Sequence, residues 1–456
     1  MSVKLKILSI ITIVLFTISC QPTAQIDYAL ISGKVTNAKG ISYVTVKGDD
    51  FSYDIDLNSD GTFSDTLRIQ RGYYHFFSGR ERTGLFLDQG YDLNLEIDQP
   101  QFDETLTFTS DGKGTKINNY LANKARLDEK LTVDFQTLFS KEETPFIETL
   151  SDWKSKMSEL LKSAEINDTQ FAKVESRSVT YEYLTQFANY EYYHQYATKN
   201  SSYKAPEEFK QYLADIDLNN EEDFNSLGSY KSLLQSYFGA MIERGEVKEA
   251  FAAIKGIESS VIKMGLVPDY IYKVQPGNEH AEAIYQGIIS ITSDSATVAS
   301  LTEKIEKIRK LQTGMSSAPF AYQNIDGETV SLADLKGKYI YVDVWATWCG
   351  PCLREIPALK QLETDYHEAP VEFVSISIDA IKDFQKWQEM VAEKELKGVQ
   401  LFADNSWQSD FVKAYAIDGI PRFIVIDPEG KIIDPNAPRP SDPEIRVLFE
   451  GLEAQS

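Results

Sequence analysis

The chain reads as a multidomain protein: a β-sandwich-like N-terminal domain, a central α-helical domain and a C-terminal α/β domain. Three observations predict this. Residues 28–111 hold short runs of alternating, β-branched or aromatic residues between turn-forming Asn, Asp and Gly. Residues 112–313 space their apolar positions as helices do. Residues 314–456 alternate strand-like and helix-like runs, which implies a layered fold on a partly parallel sheet. A chain of 456 residues is long enough for two to four domains, and 42% apolar with 12% aromatic residues supplies their cores.

Residues 1–19 read as an address. Lys4 and Lys6 precede an apolar run from Ile7 to Ile18, followed by Ser19-Cys20. A basic start, a short apolar middle and a small residue at the cut are the parts of a secretory signal. The middle is too short for a membrane span. A cysteine directly after the small residue resembles the bacterial lipoprotein signal, although Thr17 stands where that pattern prefers Leu. The resemblance implies cleavage before Cys20, lipidation of its thiol and a polar tether over residues 20–27. Gln21 after the cysteine points, by resemblance to sorting rules, to the outer membrane. A plain signal peptide with an incidental cysteine is the alternative.

The β domain is predicted from runs at Ala29–Val35, Tyr43–Val46, Tyr53–Leu57, Thr62–Ile69, Tyr73–Phe77 and Leu93–Ile97, as an antiparallel sandwich serving as spacer or docking module. In the helical domain, Leu301, Ile305, Ile308 and Leu311 share one face. Tyrosines crowd the stretch from Tyr181 to Tyr212. Core packing explains them more simply than a glycan or peptide platform, because aromatic rings bury much area. Gly314 to Pro319 reads as a linker. Beyond it, strands are expected at Tyr339–Val344, Val371–Ile378, Gln400–Phe402, Arg422–Ile426 and near Lys431–Ile433. Helices are expected at Leu353–Tyr366, Lys382–Glu395, Ser409–Tyr415 and Asp442–Leu452.

A formal net charge of −23 argues against nucleic acid and against an electrostatic hold on anionic lipid. Apart from Cys20, the only cysteines are Cys349 and Cys352. Two thiols do not complete a tetrahedral zinc site, and His75, His194, His280 and His367 show no ligand spacing to them. No metal or other cofactor is expected. A Cys-x-x-Cys pair between an apolar strand and a helix is instead suited to opening and closing a disulfide. At a helix start Cys349 meets unpaired N–H groups and the positive end of the dipole, which favour thiolate. Gly350 and Pro351 allow a tight entry into the helix, where proline sacrifices no hydrogen bond.

Val342-Asp343, Trp345-Ala346, Trp348-Cys349-Gly350-Pro351-Cys352, Pro357 and Gly419-Ile420-Pro421 occur in the order and spacing of the thioredoxin active-site run, its helix-kinking proline and its cis-proline loop. The last third of the chain therefore resembles the thioredoxin superfamily, and with Glu355 the TlpA/ResA-like thiol-disulfide oxidoreductases. The whole layout resembles Bacteroidetes-type lipoproteins. The resemblance implies a thioredoxin-like fold over 314–456, with Cys349 as attacking thiolate and Cys352 as resolving thiol one turn deeper. Asp343 matches the family's buried acid, and Glu355 competes with it as proton acceptor. Ile420 and Pro421 leave an open backbone edge for an extended substrate, while Trp345 and Trp348 shield and shape the site. The Gly-Pro spacer resembles that of reducing members. By resemblance, the partners are envelope protein thiols and disulfides, apocytochromes among them, and an inner-membrane thiol donor of the CcdA/DsbD type. An outer-membrane anchor sits awkwardly with such a donor. A disulfide isomerase or weak oxidase, and a peptide- or glycan-binding lipoprotein with the thioredoxin domain as scaffold, are the alternatives.

Overall fold

The structure, a computed structural model, describes residues 26–454. The signal segment, Cys20 and most of the tether lie outside the described residues. The chain forms two compact units, one ending at Tyr183 and one beginning at Leu184. Their border falls within the long helix Thr169–Thr198.

The first unit opens with β1 (Ala29–Thr36), β2 (Tyr43–Lys47), β3 (Ser52–Asp56), β4 (Thr62–Leu67), β5 (Gly72–Ser78), β6 (Glu81–Leu87), β7 (Asp92–Asp98) and β8 (Thr107–Phe108). They make two four-stranded sheets, in orders β4-β1-β7-β8 and β3-β2-β5-β6. Period-two alternation turns Ile31, Val35, Val46, Phe76 and Leu93 into one shared core. The arrangement is not wholly antiparallel. β1 and β7 run parallel, with Ile31 opposite Leu93. Parallel neighbours need a long crossover, and here the intervening strands supply it. β6 escaped the sequence reading because its first residues, Glu81-Arg82-Thr83-Gly84, lack a strand signal.

Two successive asparagines on the helix Thr115–Leu131 close the sheet edges. Asn118 exchanges hydrogen bonds with the backbone N–H and carbonyl of Phe86, at 2.8 and 2.9 Å, on edge strand β6. Asn119 does the same for Phe108 on edge strand β8, at 2.9 and 2.8 Å. Edge groups that would otherwise be exposed to foreign strands are thus occupied. Nearby, the buried Glu175 carboxylate accepts from Tyr73, Tyr120 and Lys124 at 2.9, 3.0 and 2.7 Å. A charge this deep is tolerable because it is paired and hydrogen-bonded.

The second unit begins with helices. Of the tyrosines between 181 and 212, Tyr190 is fully buried against Phe209, while Tyr192 and Tyr196 are exposed. The helix Ser295–Ile308 buries Leu301 and Ile305. Then come β9 (Ala321–Asn324), β10 (Thr329–Ser331), β11 (Tyr339–Trp345), β12 (Val371–Ser377), β13 (Val399–Phe402), β14 (Arg422–Ile426) and β15 (Ile432–Asp434). They form one seven-stranded sheet in the order β10-β9-β13-β12-β11-β14-β15. β11, β12 and β13 are parallel; β14 is antiparallel to β11. One face packs Ile340, Val342, Val344 and Ile376 against Trp387. The other packs Tyr341, Phe423 and Val425 against Leu359, Leu362 and Phe449. The short strands β9 and β10 carried too few residues for a clear period in the sequence.

The stretch from Gly314 to Pro319 is not a free linker. Gly314 N–H donates to the Ile432 carbonyl at 2.7 Å, Ile432 N–H to Met315 at 2.8 Å, and Ser317 N–H to Gly430 at 2.9 Å. Its Gly and Ser residues suggest looseness, but the edge of β15 offered backbone partners that only the folded chain reveals.

Candidate active site

β11 ends at Trp345, and the helix Gly350–Asp365 starts just beyond it. Between them Ala346, Thr347, Trp348 and Cys349 form a short turn. A buried carboxylate holds that turn. Asp379, just after β12, accepts from Thr347 N–H at 2.9 Å, from Thr347 Oγ1 at 2.8 Å and from Ser377 Oγ at 2.8 Å. Asp379 was missed from sequence; the available signal was an acid directly ending an apolar strand run.

Cys349 is the N-cap of the helix, and its sulfur accepts from Cys352 N–H at 3.1 Å. A sulfur in that place occupies one of the helix's orphan donors and feels its positive end, so negative charge on it is favoured. Cys349 and Cys352 are joined in a disulfide, their Cα atoms 5.3 Å apart. Both residues are 4% exposed. The place of Cys352 one turn deeper is therefore not a difference of exposure; the N-cap position of Cys349 distinguishes the two. Trp348, 53% exposed, stands beside them with its ring 6.4 Å from that of Trp407.

The loop before β14 completes the mouth. The Ile420–Pro421 bond is cis, and the Ile420 carbonyl oxygen lies 3.8 Å from Cys349 Sγ. Val344 faces Arg422 across the β11–β14 pair, which brings this loop to the end of β11 where the turn begins.

Strand parity puts Asp343 on the same face as Tyr341, the face covered by the helix Gly350–Asp365. Asp343 is buried, and its pKa is pushed up to about 8, first by burial and then by the charges of Glu355 and Glu363. Glu355 is also buried. Its two oxygens accept from the Ser441 N–H and hydroxyl, both at 3.0 Å, and Arg439 approaches to 3.9 Å. Glu363, a residue that sequence reasoning missed, lies further along the same helix. Burial pushes its pKa up to about 7 against the opposing pull of Lys397 and Lys360. Its Oε2 is buried without a hydrogen-bond partner. The face thus carries three acids: one pinned by donors, two with raised proton affinity. Among the described residues no cluster of three or more His, Cys, Asp or Glu is gathered as metal ligands are.

A disulfide pair capping a helix, beside a cis-proline loop and following a strand that carries a buried acid, on a sheet of this topology, defines a thioredoxin-like redox domain. The comparisons agree. Residues 312–447 match the Redoxin family. The thiol-disulfide oxidoreductase ResA from a Bacillus cereus strain is 28% identical over 130 residues, 27% of this chain and 69% of that protein. ResA from Bacillus subtilis is 26% identical over 127 residues, 27% of this chain and 66% of that protein. A solution structure from Bacteroides vulgatus, described as a candidate thiol-disulfide oxidoreductase, is 52% identical; the match covers 32% of this chain and 94% of that one, with a TM-score of 0.29. The C-terminal domain belongs to the thioredoxin superfamily, in its TlpA/ResA-like branch, and the protein is a thiol-disulfide oxidoreductase.

Proposed function

We propose that the protein is a lipid-anchored, extracytoplasmic protein-disulfide reductase. The observation that carries the reading is Cys349 sulfur capping its helix and facing the Ile420 carbonyl, which leaves one activated sulfur at the substrate edge. The Cys349 thiolate attacks one sulfur of a substrate disulfide. The S–S bond breaks, a mixed disulfide forms, and the first substrate sulfur leaves as thiolate. Cys352 then gives its proton to Asp343 and attacks Cys349 sulfur. The second substrate thiolate leaves, and the enzyme disulfide closes. Two electrons have passed to the substrate, and the two substrate thiolates take up protons. Asp343, with its pKa raised to about 8, is close enough to neutral pH to exchange the Cys352 proton and suits the acceptor role; Glu355, held by Ser441, suits positioning of the loop at 439–441.

Ile420 and Pro421 present the backbone edge on which an extended substrate lies, and Trp348 offers it an exposed aromatic surface. Electrons return from a membrane thiol donor of the CcdA/DsbD type. Cys20 supplies the anchor, in the outer membrane by the Gln21 sorting resemblance. Each buried methylene of an acyl chain contributes ~0.8 kcal/mol to membrane affinity, so several chains hold firmly.

Equilibration of the Cys349–Cys352 couple with glutathione or dithiothreitol buffers tests the direction of flow. A potential near about −270 mV is expected of a reducing member; a value above about −180 mV would make the protein an isomerase or oxidase instead. For the anchor, fatty-acid labelling of cells is expected to mark the wild type and to vanish with Cys20→Ser. Labelling that survives that substitution removes the lipoprotein claim.

A further inference from the structure

The proposed substrate edge, Ile420 and Pro421, lies within the segment Asp418–Arg422, whose two ends are held by side chains from the helical part of the second unit. At one end, Lys304 on the helix Ser295–Ile308 pairs with Asp418, Nζ to Oδ2 2.5 Å. Lys304 is mostly covered, at 16% exposure, while Asp418 is open at 58%. At the other end the buried Arg422 guanidinium donates to Gln275 Oε1 at 3.3 Å and to Asn436.

The turn that presents Gln275 is itself built closely. Asn278 Nδ2 donates to the Lys273 carbonyl at 2.8 Å. Gly277 has φ of 79°, and a Cβ there would come within 2.6 Å of Asn436 Cβ. Only glycine suits both the left-handed backbone and that approach. Further on, Leu311 enters the core of the sheet, and Thr313 Oγ1 donates to the Ile433 carbonyl at 2.9 Å. The segment is therefore attached independently of the two clamps, and they are free to set local position.

We propose that residues 268–311 are part of the substrate site: Lys304 and Gln275 are positioning residues that hold the Asp418–Arg422 loop at both ends, and with it the edge on which a polypeptide disulfide docks. The proposal rests on the reductase reading. An exposed ion pair contributes little to stability. Its consequence here is that the edge is already ordered when the substrate arrives, so binding does not have to order it. Small disulfides make no use of an extended edge and are indifferent to the clamps.

The test uses the full chain, with insulin as polypeptide disulfide and dithiothreitol as electron source, and with 5,5′-dithiobis(2-nitrobenzoate) as small disulfide. The variants are Lys304→Met, Gln275→Ala and the charge exchange Lys304→Glu with Asp418→Lys. Each single change is expected to raise KM for insulin about tenfold, with kcat and the small-disulfide rate moving less than about twofold. The charge exchange is expected to bring KM back close to wild type. Single variants with unchanged KM in an active protein overturn the proposal alone. So does an equal loss on both substrates, which marks general damage, or a charge exchange that restores nothing. A wild-type protein that cannot reduce insulin removes the reductase reading and this proposal with it.

Discussion

The Cys349→Ser protein is expected to lose disulfide reduction by a factor of at least ~10³, the scale on which enzymes depend on an activated nucleophile. The cause is local. In the proposed mechanism the sulfur that accepts the Cys352 N–H at 3.1 Å is the attacking thiolate, favoured by the helix start, and a serine hydroxyl there stays protonated near neutrality. The partner change has a different outcome. With Cys352→Ala the first attack proceeds and the resolving thiol is missing, so Cys349 is expected to remain bound to its substrates as mixed disulfides. Non-reducing gels of envelope proteins from cells making this variant should show adducts that collapse on reduction and are absent with Cys349→Ser. Trapped partners, identified by mass spectrometry, then name the substrates. A Cys352→Ala protein that forms no adducts, while Cys349 reacts normally with a small disulfide, would speak against protein disulfides as substrates.

Asp343→Asn is expected to make the protein more stable and less active. In the fold the carboxyl holds its proton up to about pH 8; in the unfolded chain it releases it near ~3.9. Between those values the unfolded state ionises while the native state does not, so Asp343 makes stability fall as pH rises through this window. Below about pH 4 the effect is absent; above about pH 8 it is complete. At pH 7 the asparagine should therefore gain on the order of 2–4 kcal/mol, measured as a shift in denaturant midpoint. The slope with pH should flatten, leaving near pH 7 the part that Glu363 contributes. Glu355 and Tyr341 face the same acid. Activity moves the other way. In the proposed mechanism Asp343 takes the Cys352 proton and must be ionised to do so, so the wild-type rate should climb through about pH 8. The asparagine should resolve ~10²-fold more slowly at neutral pH, the lower end of what a positioned base contributes. An unchanged pH profile in Asp343→Asn would move the proton-accepting role to Glu355.

The redox domain was legible because its signals are local. Cys349 and Cys352 stand at the spacing that a strand-to-helix turn and helix entry suit, Pro357 and Pro421 stand where the resemblance to the thioredoxin superfamily places its prolines, and β11 and β12 are largely apolar runs flanked by turns. The residues that tune the site were less legible. Asp379 reaches Thr347 across a strand boundary, and Ser441 reaches Glu355 from 86 positions away. Glu363 looked like any charge on a helix until burial of its Oε2 set it apart. The parallel β1–β7 pair and the pairing of Gly314–Ser317 with β15 depend on partners distant in the chain, and composition carries no record of them.

By itself the amino-acid order carried the three-part layout and the redox pair, because strand period, helix capping and turn chemistry act over a few residues; the cis-proline loop and the acids at 343 and 355 were picked out by the resemblance to the thioredoxin superfamily. Tertiary structure alone decided which acid has the raised proton affinity, that the two sulfurs are equally covered, and that Lys304 and Gln275 reach the loop beside them. Burial and electrostatic coupling are properties of the assembled surroundings, and those exist only once distant segments have packed.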